Sequence, residues 1–349
     1  MSDPAERKLG VWEKYLTLWV GLCIAAGTVL GRFFPGVSDV LAKMEIASIS
    51  IPIAVLVFAM IYPIMVQISF EEIKRAALNP RPIALTLFAN WAVKPFTMAL
   101  FAWLFLAVIF ARFLTPEQIQ EYRAGLILLG IAPCTAMVLV WSYLARGNMG
   151  HTLVMTAINS LTMVLLYAPL AVLLMGISGI RVPWDTIALS VAIYILTPLI
   201  AGYLTRTQVI KRKGIDWFNA RLSPVLGKVS ITALLITLVV LFTYQGYIIV
   251  ELPAIIGMIA LGILVNILVV FGITYFAARV MRLGYEDAAP AAIIAGSNHF
   301  EVAIAVAITL FGVSSGAALA TVVGVLTEVP FMLLLVQLCK ATKGTFSKR

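Results

Sequence analysis

Residues 288–311 read AAPAAIIAGSNHFEVAIAVAITLF. The flanks are apolar, and the stretch is long enough to cross a hydrocarbon core, which takes about 20 helical residues. Its middle, AGSNHFE at 295–301, contains Gly, Ser, Asn, His and a carboxylate, residue types that weaken a helix or compete for its backbone bonds. The rest of the chain decides which kind of core surrounds it. Of 349 residues, 62% are hydrophobic and only 12% are charged, a balance that belongs to polytopic membrane proteins.

Working outward, the apolar runs predict ten spans, at 16–34, 46–68, 83–110, 124–145, 151–175, 185–204, 226–244, 252–280, 288–311 and 313–338. The alternation in roughly ten-residue units that marks an outer-membrane barrel is absent, so the expected fold class is all-α. Basic residues precede the first span, but it is long and lacks a small-x-small cleavage pattern, so it is read as a helix and not a signal peptide. Leu22 stands before Cys23, where a lipoprotein would carry a small residue. No GxxxxGK[ST], HExxH or CxxC motif occurs, so neither ATP hydrolysis nor a zinc hydrolase is expected and no cofactor is called for. The three cysteines show no pairing pattern.

Lys and Arg set the expected orientation. With the amino terminus inside, 19 of the 25 basic residues fall on cytoplasmic segments, five on the other side (Arg32, Lys43, Arg112, Arg123, Arg181), and Lys94 within a span. This asymmetry predicts a multi-pass protein of the plasma (inner) membrane with both termini cytoplasmic. It also accounts for the net charge of +9, including the basic RTQVIKRKG segment at 206–214, without a nucleic-acid partner.

Ten spans divide into five and five. The expected organisation is a cytoplasmic N-terminus at 1–15, a first five-helix repeat at 16–175, a second, inverted repeat at 185–340, and a cytoplasmic tail at 341–349. Inverted repeats with discontinuous helices near the midplane are a common build of secondary transporters. Span four carries GIAPCTAM (130–137), where Pro133 forbids regular helix, and span nine carries AGSNHFE. Two breaks at matching positions predict a central site between them.

An ionised side chain at the bilayer centre costs about 2.5–3.5 kcal/mol on insertion scales, so Lys94, Glu301 and Glu328 need reasons. Glu301 follows the break directly and is the first candidate for transport. Asn298, three residues earlier, is expected on the same face, and Ser297 and Thr135 are further polar groups at the breaks. His299 is read as packing or an interfacial bond. Lys94 in NWAVKPF (90–96), with Asn90 four residues before it, is either a snorkelling side chain or a counter-charge for Glu301 or Glu328. Glu328 in LTEVPF (326–331) is a candidate for coupling or structural charge, with no Cys-bearing break expected opposite it. Cys134 lies at the break itself, whereas Cys23 and Cys339 lie near the chain ends and are expected to be inert.

The segments GIAPCTAMVLVWSYLARGN (130–148), NWAVKPF (90–96), AGSNHFEVAIAVAITLFG (295–312) and TEVPFMLLLV (327–336) together resemble the arsenite efflux permeases of the yeast and bacterial arsenical-resistance type, in the bile acid/arsenite/riboflavin transporter superfamily. The resemblance implies ten helices in two inverted five-helix repeats, with a panel and a core domain. It also implies that Cys134 and Glu301 are required for transport. Val302 stands where that family often has Leu, which does not touch the chemistry.

The implied cargo suits the residues. Arsenite at neutral pH is mainly uncharged As(OH)3, whose soft As(III) centre prefers thiolate, and Cys134 is the mid-span sulfur expected to bind it. Asn298, Ser297 and Thr135 could meet its hydroxyl groups. Export of a neutral solute against a gradient, without an ATPase, calls for an inward-moving proton. The sequence leaves open whether antimonite shares the path and whether the chain oligomerises. The competing expectation is a sodium-coupled organic-anion importer of the same superfamily, which would give no reason for Cys134. An intramembrane enzyme or a passive channel is a further class, with no complete acid–base–nucleophile set to support it.

Overall fold

The computed structural model describes residues 16–34, 36, 44–46, 49–68, 80–135 and 137–346. The predicted N-terminal segment at 1–15 and eight of the basic residues used for orientation (Arg7, Lys8, Lys14, Lys43, Lys74, Arg75, Lys348, Arg349) lie outside these. Among the described residues the chain is almost wholly helical. α1 (Leu16–Phe33) is followed by a two-rung antiparallel ribbon, β1 (Glu45–Ile46) with β2 (Ile49–Ser50), and then α2 (Ile51–Gln67). The expected second span therefore starts five residues late, because its first residues pair as strands.

The third span is α3 (Pro80–Phe88), a π-helical turn at Ala89–Val93, then α4 (Lys94–Ala102) and a second π stretch at Trp103–Ile109. Pro95 explains the first of these. Its ring would clash with the carbonyl four residues back, and the widened turn relieves this, with the Lys94 N–H reaching the Ala89 carbonyl five residues back. The same arrangement recurs at Ala192–Leu196 before Thr197-Pro198 and at Phe218–Leu222 before Ser223-Pro224.

The expected fourth span is two half-helices, α5 (Pro116–Gly130) and α6 (Met137–Leu144), and α7 (Met149–Ile177) follows. α5 opens with a capping box between Thr115 and Gln118, which satisfies two otherwise free backbone donors. α8 (Trp184–Val191), α9 (Thr197–Trp217) and α10 (Ser223–Glu251) form a helical run of which 61 residues, Trp184–Tyr244, are apolar overall. As one rod this would measure about 90 Å, roughly three hydrocarbon thicknesses. Gly214 breaks it, with φ 81° and ψ 163°, and α9 and α10 both return to pack on α2. The basic 206–214 segment, expected as a loop, is helical up to that glycine.

α11 (Pro253–Val280), the half-helices α12 (Tyr285–Gly296) and α13 (Phe300–Phe311), and α14 (Gly316–Thr342) complete the chain. By packing, the helices form two sets. α1, α2, α9 and α10 lie against one another, while α4, α5, α11, α12, α13 and α14 surround the two breaks. Every residue from Ala288 to Thr309 is buried, so the ninth segment is sheathed by protein on all sides. α11 instead presents Leu268, Ile273 and Phe276 outward, as expected of helices bordering lipid.

Candidate functional site: the crossing of two broken helices

Pro133 ends the hydrogen-bond ladder of the fourth segment, and Gly296-Ser297-Asn298 ends that of the ninth. The two non-helical stretches meet. Pro133 and Asn298 form an antiparallel backbone bridge, and the His299 N–H donates to the Ala132 carbonyl at 2.8 Å. Each break thus uses groups freed by the other, which is how irregular backbone is tolerated at membrane depth. Four half-helix ends converge here: the carboxyl ends of α5 and α12 and the amino ends of α6 and α13.

Cys134 lies in this crossing and is 2% exposed. Its thiol is within polar reach of the Ser297 hydroxyl and of the Val138 N–H in the first turn of α6, and the carboxylates of Glu328 and Glu301 act on it through space. The Asn159 Nδ2 of α7 donates to the Cys134 carbonyl at 3.3 Å, and the Asn90 Nδ2 donates to Asn159 Oδ1 at 3.1 Å. Among the described residues, Thr135 Oγ1, Asn298 Oδ1 and His299 Nε2 are buried with no protein partner. Buried polar atoms of this kind are usually satisfied by a ligand, water or ion.

The two acidic residues have different surroundings from those expected. Asn298 does not share a face with Glu301, because it is not helical; it belongs to the break. Its N–H and its Nδ2 donate to Glu328 at 2.9 and 3.0 Å, and the Ser297 hydroxyl donates to the same carboxylate at 2.6 Å. The expectation that Glu328 stands apart from a Cys-bearing break is therefore corrected: α14 brings it to the ninth break, opposite the fourth. Glu301 sits in the first turn of α13, where the helix dipole favours a carboxylate, and pairs with His299 Nδ1 at 2.7 Å. His299, read from sequence as packing or an interfacial bond, is thus the direct partner of Glu301.

Lys94 is fully buried and does not snorkel. Its Nζ donates to the Ser297 carbonyl at 2.7 Å. Glu328 is the carboxylate close enough to act on it through space. Asn90 does not accompany Lys94, since the intervening π turn sets the two side chains on different neighbours, Asn159 and Ser297. Besides His299, sequence reasoning passed over Asn159 and also Asn266, whose Oδ1 accepts from Thr97 Oγ1 at 2.6 Å. The available signal was a lone amide in an otherwise apolar run. Among the described residues no group of three or more His, Cys, Asp or Glu side chains could hold a metal ion.

A helical membrane protein with two discontinuous helices crossing at a buried polar centre is built as a secondary transporter. The comparisons agree. Residues 54–252 match the model of the sodium bile acid symporter family. An uncharacterised transporter of Synechocystis sp. is 51% identical over 97% of this chain and 91% of its own length. The arsenical-resistance protein Acr3 of Alkaliphilus metalliredigens is 42% identical over 97% of this chain and 95% of its own length, and that of Corynebacterium glutamicum 34% identical over 96% and 90%. The chain belongs to the sodium bile acid symporter family, within which it is similar to Acr3 proteins over nearly its whole length. It is a multi-pass membrane transporter and not an enzyme.

Proposed function

We propose that this chain exports arsenite from the cytoplasm across the plasma (inner) membrane, in exchange for protons, through ten helical crossings in two inverted five-helix repeats with both termini cytoplasmic. The observation that carries the reading is the Cys134 thiol, buried where the two breaks cross and within polar reach of Ser297, in a crossing that also holds Thr135 Oγ1, Asn298 Oδ1 and His299 Nε2 without protein partners. The likeness to Acr3 proteins supports arsenite as the solute.

In this reading Cys134 is the ligand of As(III). The thiol loses its proton, one hydroxide leaves arsenic and combines with that proton as water, and an S–As bond replaces one O–As bond. Thr135 Oγ1 and Asn298 Oδ1 bond the remaining hydroxyls, with the Ser297 hydroxyl next to the sulfur. A single thiolate allows release, which three would hinder. Glu301 is the proton carrier. Facing inside, it releases a proton to the cytoplasm, and its carboxylate relays the thiol proton to the departing hydroxide, so that it ends ionised; facing outside, it takes up a proton from that side while water re-adds across the S–As bond, giving its proton to sulfur and its hydroxide to arsenic, and arsenite leaves. His299 offers the same proton a second basic nitrogen.

The test is arsenite accumulation by everted membrane vesicles containing the chain, with pH and sodium gradients imposed separately. Accumulation driven by an acid-inside pH gradient alone is expected. Accumulation of an organic anion driven by sodium, with arsenite left behind, would establish the importer instead.

A further inference from the structure

A break in a membrane helix frees backbone carbonyls, and in transporters of this general build such carbonyls coordinate sodium. Here the freed carbonyl of Ser297 is already held by an ammonium group. Lys94 Nζ donates to it at 2.7 Å. Across the same residue the Ser297 hydroxyl donates to Glu328 at 2.6 Å, and Asn298 supplies two further donors to that carboxylate. Lys94 and Glu328 make no direct ion pair; they face one another across Ser297, each acting on the other through space.

The side chain reaches the break because of its own backbone. The π turn at Ala89–Val93 places Lys94 at the head of α4 with Pro95 next in the chain, and α4 packs on α5 and α11. Lys94 is 0% exposed and is the single buried Lys or Arg among the described residues. Glu328 is 1% exposed. A buried carboxylate and a freed carbonyl beside each other demand a cation. The ammonium answers that demand as a compact charge with three donors, fixed to the chain and unable to leave with the solute.

We infer that the Lys94 ammonium is a built-in cation of the crossing, standing on the Ser297 carbonyl within the field of Glu328 where a sodium-coupled transporter would bind its ion. Lys94 is thereby a specificity-determining residue for the coupling ion. The chain neither binds nor requires sodium, although its family is named for sodium symport. The inference rests on the crossing as the transport site and is independent of which solute passes.

The experiment uses the purified full-length chain and reads thermal unfolding in sodium chloride against choline chloride at equal ionic strength, with no solute present, so its outcome is separate from that of the vesicle assay. The unaltered chain should unfold at the same temperature in both salts. Lys94→Ala empties the ammonium position and should acquire a saturable, sodium-specific rise in Tm on the order of a few degrees, abolished by adding Glu328→Gln. Recovery of Lys94→Ala in folded form from sodium buffer alone would count equally in favour. Lys94→Ser, which offers a hydroxyl ligand, carries the same expectation, whereas Lys94→Met fills the space and should give none. A sodium-specific rise in the unaltered chain overturns the inference, as does folded Lys94→Ala or Lys94→Ser protein indifferent to sodium, or an equal response from Lys94→Met.

Discussion

Cys134 and Cys339 are both buried thiols, and their neighbours distinguish them. Cys339 lies in the last turns of α14 beside Tyr275, remote in sequence from either break, while Cys134 lies in the crossing itself, within polar reach of Ser297 and of the first turn of α6. Cys134→Ser keeps size and polarity but replaces soft sulfur with hard oxygen, so arsenite transport should fall to background at equal expression; Cys23→Ala and Cys339→Ala should keep near-normal transport, the latter with about 1 kcal/mol less stability for its small cavity. Resistance assays in cells lacking their own exporter read the difference, and a transporting serine variant would refute thiolate coordination. Glu328→Gln places an amide donor among three donors, a loss of about 1–3 kcal/mol for each bond left unmade, and should impair transport at least as much as Glu301→Gln. Intact transport by Glu328→Gln would show that the bonds from Ser297 and Asn298 are dispensable. At this scale the sequence indicated which residues were costly but not whom they met. Glu301 and His299 are two positions apart and could be paired by inspection, whereas Glu328 reaches Ser297 and Asn298 only because α14 packs beside the ninth segment.

The elements were legible where a single physical cause defines them. Long apolar runs gave the apolar helices, and Pro133 and Gly296 gave the breaks, because each acts on its own local ladder. The ribbon at 45–50, the π turns and the helical path through 206–214 were not legible. The ribbon depends on pairing, the π turns on how a helix absorbs a proline, and the last on the fact that Lys and Arg are good helix formers wherever they lie relative to the membrane. Gly27 and Gly31 show spacing that could serve a dimer, but in the structure they serve the chain itself: a Cβ at Gly27 would lie 2.6 Å from the Val239 carbonyl of α10, and one at Gly31 would run into the Thr243 carbonyl. Gly31→Leu should therefore separate α1 from α10 and lower folded yield, with an overpacking cost of about 1–3 kcal/mol or more. Gly312 and Gly316 repeat the same spacing, but Gly312 has φ 87° and open space around it. Gly312→Ala should cost about 1–3 kcal/mol through backbone strain alone. Fluorescence-detected size-exclusion profiles on heating compare the two, and equal tolerance at both positions would contradict the close packing at Gly31.

Across the whole molecule, the helices that hold the crossing are distinct from the set formed by α1, α2, α9 and α10. The proposed inverted five-helix repeats would draw two members of that set from each half of the chain. The proposed topology is argued from the basic residues and is tested by reporter fusions at both ends; a carboxyl-terminal reporter active on the outer side would overturn an even number of crossings from a cytoplasmic start. The backbone bridge between Pro133 and Asn298, with His299 N–H on the Ala132 carbonyl, has a consequence for how such a chain can change over generations. At this bridge the two non-helical stretches are held in step, Pro133 opposite Asn298 and the Ala132 carbonyl opposite the His299 N–H. An insertion or deletion in one would shift its donors and acceptors out of step with the other, which stands some 165 positions away in sequence. The two short stretches, unlike ordinary surface connections, can alter their lengths only together.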